Sequence, residues 1–242
     1  MRYLILSDIH GNNPALQSVL RDAGEFAEIW CLGDIVGYGP NPNQCIDQLR
    51  EYPLHCSAGN HDWGALGKTD LYVFNRAARQ ALLWTRDELT ARNMQMLNDL
   101  PTSLCVQGYL LAHGSPREPV WEYILNTATA QENFQAIDFR VALVGHTHMP
   151  AVFEWLPESR NTRLMVPDYE GPLHLDGRRL IINPGSVGQP RDGNPDAAYG
   201  ILDTEAATFE FRRVPYPVAI TQARMSARKL PQRLIDRLEM GR

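Results

Sequence analysis

The 242-residue chain lacks any apolar run approaching the roughly 18 residues that cross a bilayer. Its opening apolar stretch stops at Ser7, too soon for the core of a secretory leader, and the expectation is a cytoplasmic protein with no membrane partner. Cysteine is scarce. Cys31, Cys45, Cys56 and Cys105 form no C-x-x-C pair, which speaks against a zinc ribbon or a disulfide framework. Cys31 and Cys56 stand in apolar, strand-like stretches and are expected to be reduced core thiols. Positive charge is short overall: a net charge of -5 argues against holding long nucleic acid by neutralising many phosphates. The exception is residues 212 to 242, with 8 Lys plus Arg against 2 Asp plus Glu, expected to form a solvated, basic helical tail folded against an acidic body. That tail lacks the aromatic face of a membrane or RNA patch. There is no repeat and no low-complexity segment.

What is present suits a globular α/β protein, with 44% hydrophobic residues and a length that allows one large domain or two small ones. Tyr3-Leu4-Ile5-Leu6 is apolar throughout, as expected of a strand buried on both faces in the middle of a sheet. Asn12 and Asn13 can cap a following helix whose first turn holds Pro14. A second strand ends at Leu32, a third at Ser57, and residues 74 to 99 read as two helices with Thr90 as N-cap and Pro101 as stop. The connections there are too short for linkers, so these helices are expected to flank a single domain spanning 1–242. Beyond residue 104 the chain is mostly strand-like, with a short helix near residues 130–136. The expected object is two sheets packed face to face with helices outside.

The strands end in chemistry. Asp8-Ile9-His10 follows the first, Gly33-Asp34 the second, and Gly59-Asn60-His61-Asp62 the third. His113 and Gly145-His146-Thr147-His148 follow later strands, so five of the 7 histidines lie in such positions and only His55 and His174 fall outside. Asp-x-His alone means little, since 15 Asp and 7 His in 242 residues give roughly 0.4 chance matches. Gly-His-x-His, in contrast, arises by chance about 0.015 times. Imidazoles mixed with Asp and Asn at strand ends, with no cysteine beside them, form a donor set for a borderline-to-hard divalent cation rather than a structural zinc site.

In this order the motifs resemble those of the calcineurin-like metallophosphoesterase superfamily: D-x-H, G-D-x-x-D, G-N-H-[DE], H and G-H-x-H. The resemblance covers residues 4 to 148 and is nearest to small prokaryotic phosphodiesterases; Asn183-Pro184-Gly185-Ser186-Val187-Gly188 is similar to their late sheet turn. It implies a four-layer α-β-β-α sandwich of two mixed sheets. It also implies two divalent ions (Mn, Fe, Zn or Co), one on Asp8, His10 and His148, the other on Asn60, His113 and His146, with Asp34 bridging. Water shared between such ions becomes hydroxide near neutral pH and can attack phosphorus in line. His61 is then free to protonate the leaving oxygen or to donate a hydrogen bond to substrate, as is Asn60 to bind it. Asp62 is read as an orienting partner of His61, or as a plain cap or salt-bridge residue. Tyr38 could shape the mouth or stack on a base, or merely anchor a turn. Arg117 could clamp a phosphate, or be solvated. One departure stands out. Gly37 occupies the place of the second Asp of the second motif, which is expected to leave the metals unaffected and to change the loop's hydrogen bonding. The expected activity is hydrolysis of a small phosphodiester or nucleotide phosphate. The alternatives are a dinucleoside polyphosphate hydrolase, or a non-catalytic scaffold, against which the intact donor set speaks. Homo-oligomerisation is left open.

Overall fold

In the computed structural model, which describes all 242 residues, β1 (Arg2–Leu6) is the pivot of the first half. After it come α1 (Asn13–Asp22), β2 (Glu28–Cys31), α2 (Pro42–Leu49), β3 (Leu54–Cys56) and α3 (Asn60–Leu66). A pair of helices, α4 (Arg76–Glu88) and α5 (Ala91–Asn98), precedes β4 (Ser103–Val106), β5 (Tyr109–Ala112), α6 (Thr127–Ala136) and β6 (Val141–Leu143). The remainder is β7 (Ala151–Leu156), β8 (Asn161–Met165), β9 (Leu173–His174), β10 (Leu180–Asn183), β11 (Ala197–Asp203) and β12 (Thr208–Val214), then α7 (Val218–Ala227) and α8 (Gln232–Met240). The strands make two mixed six-stranded sheets, ordered β3-β2-β1-β11-β12-β9 and β4-β5-β6-β10-β7-β8.

Side-chain alternation sorts the apolar residues into three cores, which define four layers. Along β1, Tyr3 and Ile5 enter the core between the sheets with Trp30, Leu111, Leu143 and Ile182. Leu4 and Leu6 enter the outer core, where Leu16 of α1, Ile46 of α2, Leu82 of α4 and Leu97 of α5 cover the first sheet. Both faces of β1 are thus buried, which is why its sequence runs apolar without alternation. On the second sheet Ile181 turns outward to meet Phe134 of α6, forming the third core with Phe153 and Val144.

Local capping agrees with the sequence. Asn12 Oδ1 accepts from Ala15 N at 3.3 Å and Thr90 Oγ1 from Asn93 N at 3.2 Å. The C-terminal segment departs from expectation. It is not a solvated tail: β12 lies inside the first sheet, and Met225, Leu230, Leu234, Ile235 and Leu238 are buried against that sheet's outer face. The arginines of α8 fall between these positions, so the end of a segment read as basic by composition is amphipathic by spacing.

Topology brings the motifs together. β1, β2 and β3 are parallel, with Leu6, Cys31 and Cys56 in register, so their carboxyl ends share one edge. β5 and β6 are likewise parallel, and Gly145 N donates to His113 O at 2.8 Å. The edges meet at Gly145, where a Cβ would lie 1.9 Å from Ser7 Oγ; only glycine lets the two strand ends approach so closely.

Candidate metal centre

Two donor groups form at this edge. Asp8, His10 and His148 present donor atoms within 4.8 Å of one another, as do Asp34, His113 and His146. Five of these six residues, Asp8, His10, Asp34, His146 and His148, have left-handed backbone (φ between 49 and 65°), and so does Tyr38 (φ 57°). Such conformations are uncommon for non-glycine residues and cost free energy, yet here they recur at the residues that aim side chains inward.

Each imidazole is oriented by a backbone carbonyl. The Nδ1 atoms of His10, His113 and His148 donate to Val36 O (3.1 Å), Leu32 O (3.0 Å) and Gln189 O (2.5 Å). His146 is reversed, with Nε2 donating to Trp121 O at 3.2 Å. A carbonyl can only accept, so each of these nitrogens carries the hydrogen and the opposite lone pair faces the centre. His10 Nε2 and His148 Nε2 then confront each other at 3.1 Å, with Asp8 Oδ1 3.1 Å from His148. In the second group His113 Nε2 lies 3.0 Å from His146 Nδ1 and from Asn60 Oδ1, and 3.3 Å from Asp34 Oδ2. The carboxylate oxygens Asp8 Oδ1 and Asp34 Oδ2 are buried without any hydrogen-bond partner. Converging, partnerless acceptors of this kind fit a divalent cation, whose charge offsets their mutual repulsion. Asp34 Oδ2 lies between the groups, 3.7 Å from His10 Nε2 and 3.3 Å from His113 Nε2.

The electrostatics agree. Burial would raise the Asp8 carboxyl, but His148 and His10 outweigh it and hold it well below the usual carboxylate range. Asp34 is also low, burial being overcome by His113 and His61. Burial, aided by His113 and by Arg191 respectively, pushes His146 and His148 down to about 3, so both stay neutral as ligands must. His113 rises to about 9 because Asp34 outweighs its burial; a proton there sits where a cation would displace it.

His61 begins beside Asp34, whose Oδ1 accepts its backbone N–H at 2.8 Å. Its ring packs against Tyr38, His10 and Phe74 at centroid distances of 4.2, 4.8 and 5.0 Å, with Nδ1 unpartnered. Burial lowers its pKa well below 6.5. Gly37 explains the departure in the second motif: its φ is +89°, and a Cβ there would lie 2.5 Å from His61 Nδ1, so an aspartate cannot follow this path while His61 keeps its place.

Two residues that the sequence left with alternative readings are Asp62 and Arg117. The Asp62 carboxylate makes no bond to His61; it accepts from the backbone N–H of Asp34 (2.9 Å), Val36 (3.2 Å) and Gly59 (2.9 Å), capping α3 and tying it to the Asp34 loop. Burial, reinforced by the Asp34 charge, lifts its pKa to about 7 against those amides. Arg117 does not point at the centre, because Glu122 and Glu132 hold its guanidinium. Tyr38 does line it, 4.6 Å from the His10 ring. Residues without a motif also take part. The Asn183–Gly188 turn fastens both edges, with Ser186 Oγ donating to Asp8 O at 2.8 Å and Asn183 Nδ2 to Gly145 O at 2.7 Å. Tyr123 stacks on His146 at 3.6 Å, and Arg191 lies over Tyr38, 6.0 Å from its centroid. An Asn-Pro-Gly-Ser turn is legible in sequence, whereas Tyr123 and Arg191 have no local signal.

Comparison with known proteins bears on this edge directly. A metallophosphoesterase from Sphaerobacter thermophilus has the same fold, with a TM-score of 0.92 and 44% identity over 100% of this chain and 99% of that one. An uncharacterized protein of Methanocaldococcus jannaschii is 37% identical over 98% of this chain and 97% of its own length. The phosphodiesterase YfcE of Escherichia coli is 29% identical over 85% of this chain and 89% of its own length. The model of the calcineurin-like phosphoesterase superfamily domain matches residues 1–207, a span that contains every donor of both groups. The chain belongs to that superfamily, and it is a hydrolase of phosphoester bonds.

Proposed function

We propose that this protein is a binuclear-metal phosphoesterase acting on a small phosphodiester or nucleotide phosphate, with residues 1–242 forming one domain. The observation that carries the reading is Asp34, whose partnerless Oδ2 faces donors of both groups. The printed name of the E. coli relative, a phosphodiesterase, is in keeping with it. Asp8, His10 and His148 would hold one divalent ion, Asn60, His113 and His146 the other, and Asp34 both. Bound there, the ions would supply phosphoryl charge neutralisation and an activated water. The chain's own contribution is orientation: the carbonyl-tethered imidazoles keep their lone pairs on the centre, and the sheet edges exclude bulk water from it. His61 donates a proton or hydrogen bond to the ester. Asp62 acts on it only through the loop backbone, and Arg117 takes no part. The complete donor set speaks against a non-catalytic scaffold.

The test is metal-stripped protein reconstituted with Mn, Fe, Zn or Co and assayed on monoesters, diesters and dinucleoside polyphosphates. Two metals per chain with turnover abolished by chelation are expected; full loading without hydrolysis of any ester overturns the reading. A second expectation concerns Gly37→Ala, which should leave both metals bound but displace the His61 ring and cut turnover roughly tenfold or more. Wild-type turnover with two metals in this variant would show that the loop does not position His61.

A further inference from the structure

Arg191 stands beside the metal centre with its charge uncommitted. Its backbone N–H donates to His148 O at 3.2 Å, which fixes it to a donor residue. The guanidinium reaches Gln189 Oε1 from Nη2 at 3.2 Å and Tyr38 Oη at 3.4 Å, both neutral groups. It takes part in no ion pair within 4.0 Å, and the neighbouring carboxylate of Asp192 is taken by Arg213. Arg191 Nε is buried with no acceptor, and the Gln189 amide beside it leaves Nε2 in the same condition. Arg237 adds a second cation nearby, whose Nε donates to the main-chain oxygen of Arg242; its burial and the nearness of Arg191 depress its pKa to about 10. Other partly buried guanidiniums find acceptors for Nε: Arg178 gives it to Glu154 and Arg86 to the Ala65 carbonyl. A buried N–H without an acceptor is costly, and the Arg191 Nε and Gln189 Nε2 donors together call for an oxygen-rich anion from outside the chain.

The number of oxygens decides which anion. A phosphodiester has two unesterified oxygens and one negative charge, which two divalent cations can satisfy alone. A phosphomonoester or terminal phosphate has a third unesterified oxygen and a second charge. We propose that Arg191, with Gln189 beside it and Arg237 behind, binds that third oxygen, so that the site selects terminal phosphate groups over diesters. This rests on the phosphoesterase reading and narrows it to a monoesterase.

The experiment uses protein loaded with two Mn per chain at pH 8, where inorganic phosphate is a dianion. Calorimetry is run with inorganic phosphate and with dimethyl phosphate, a monoanion of similar shape. Arg191→Ala is expected to weaken phosphate at least tenfold and dimethyl phosphate less than threefold, with Arg191→Lys between, metal content unchanged. In parallel, KM for p-nitrophenyl phosphate should rise tenfold or more in Arg191→Ala, while KM for bis(p-nitrophenyl) phosphate moves less than threefold. Equal weakening of the two anions, or none, overturns the proposal. Should Arg191→Ala fail to fold, the same contrast is read in Arg191→Lys, where an unchanged preference is equally fatal. Failure of the phosphoesterase reading looks different: wild type turns over neither ester, while the calorimetric contrast still decides what Arg191 binds.

Discussion

Asp34→Asn should reduce the metal content from two ions per chain to one or none and lower kcat/KM by at least roughly 10³-fold. Asp34 is fully buried, and its oxygens have opposed duties. Oδ1 accepts the His61 N–H at 2.8 Å, and Oδ2 faces His113 at 3.3 Å and His10 at 3.7 Å. An asparagine must place its NH2 at one of these positions. At Oδ1 it sets donor against donor and dislodges α3; at Oδ2 it points hydrogens into the space where cations would lie. Either way the one negative charge common to both donor groups is gone. Elemental analysis beside steady-state rates checks this, and an active variant retaining two metals would remove Asp34 from the bridging role.

The expected effect could be argued from sequence because a carboxylate at a strand's carboxyl end has few other uses when four more strands end in His and Asn. The tethers that turn these residues into ligands were not legible. Val36, Leu32, Gln189 and Trp121 contribute only carbonyl oxygens, which no side-chain pattern records. α3 was equally hidden: it starts at Asn60 inside a metal motif, is seven residues long and contains Gly64, so periodicity has too few turns to register. β9, two residues long, gives even less. In the C-terminal segment net charge points to a solvated tail, whereas spacing puts Leu234, Ile235 and Leu238 on one buried helix face. Arg191 fell outside every motif. Its place depends on β10 and β11 lying in different sheets, so that the loop joining them crosses the metal edge.

His61→Gln should keep both metals and lose roughly 10²–10⁴-fold in turnover on an alkyl or nucleoside phosphate, but much less on a p-nitrophenyl ester. None of the tethered donors depends on the His61 side chain; only its backbone N–H binds Asp34, and that survives the substitution. The ring itself is held by Tyr38, His10 and Phe74 with Nδ1 unspent, and burial keeps it neutral in the free site. An anionic ester entering beside it favours the protonated ring, which then has a proton to give as the P–O bond breaks. A low-pKa phenolate departs without that proton, whereas a sugar alkoxide does not. If His61 only steadies the phosphoryl group by a hydrogen bond, the glutamine amide replaces part of that bond for both substrates and the losses are equal. Wild-type and variant rates on one ester of each kind, at saturating metal, separate the two roles: a loss confined to the poor leaving group assigns His61 the proton transfer, and an equal loss denies it.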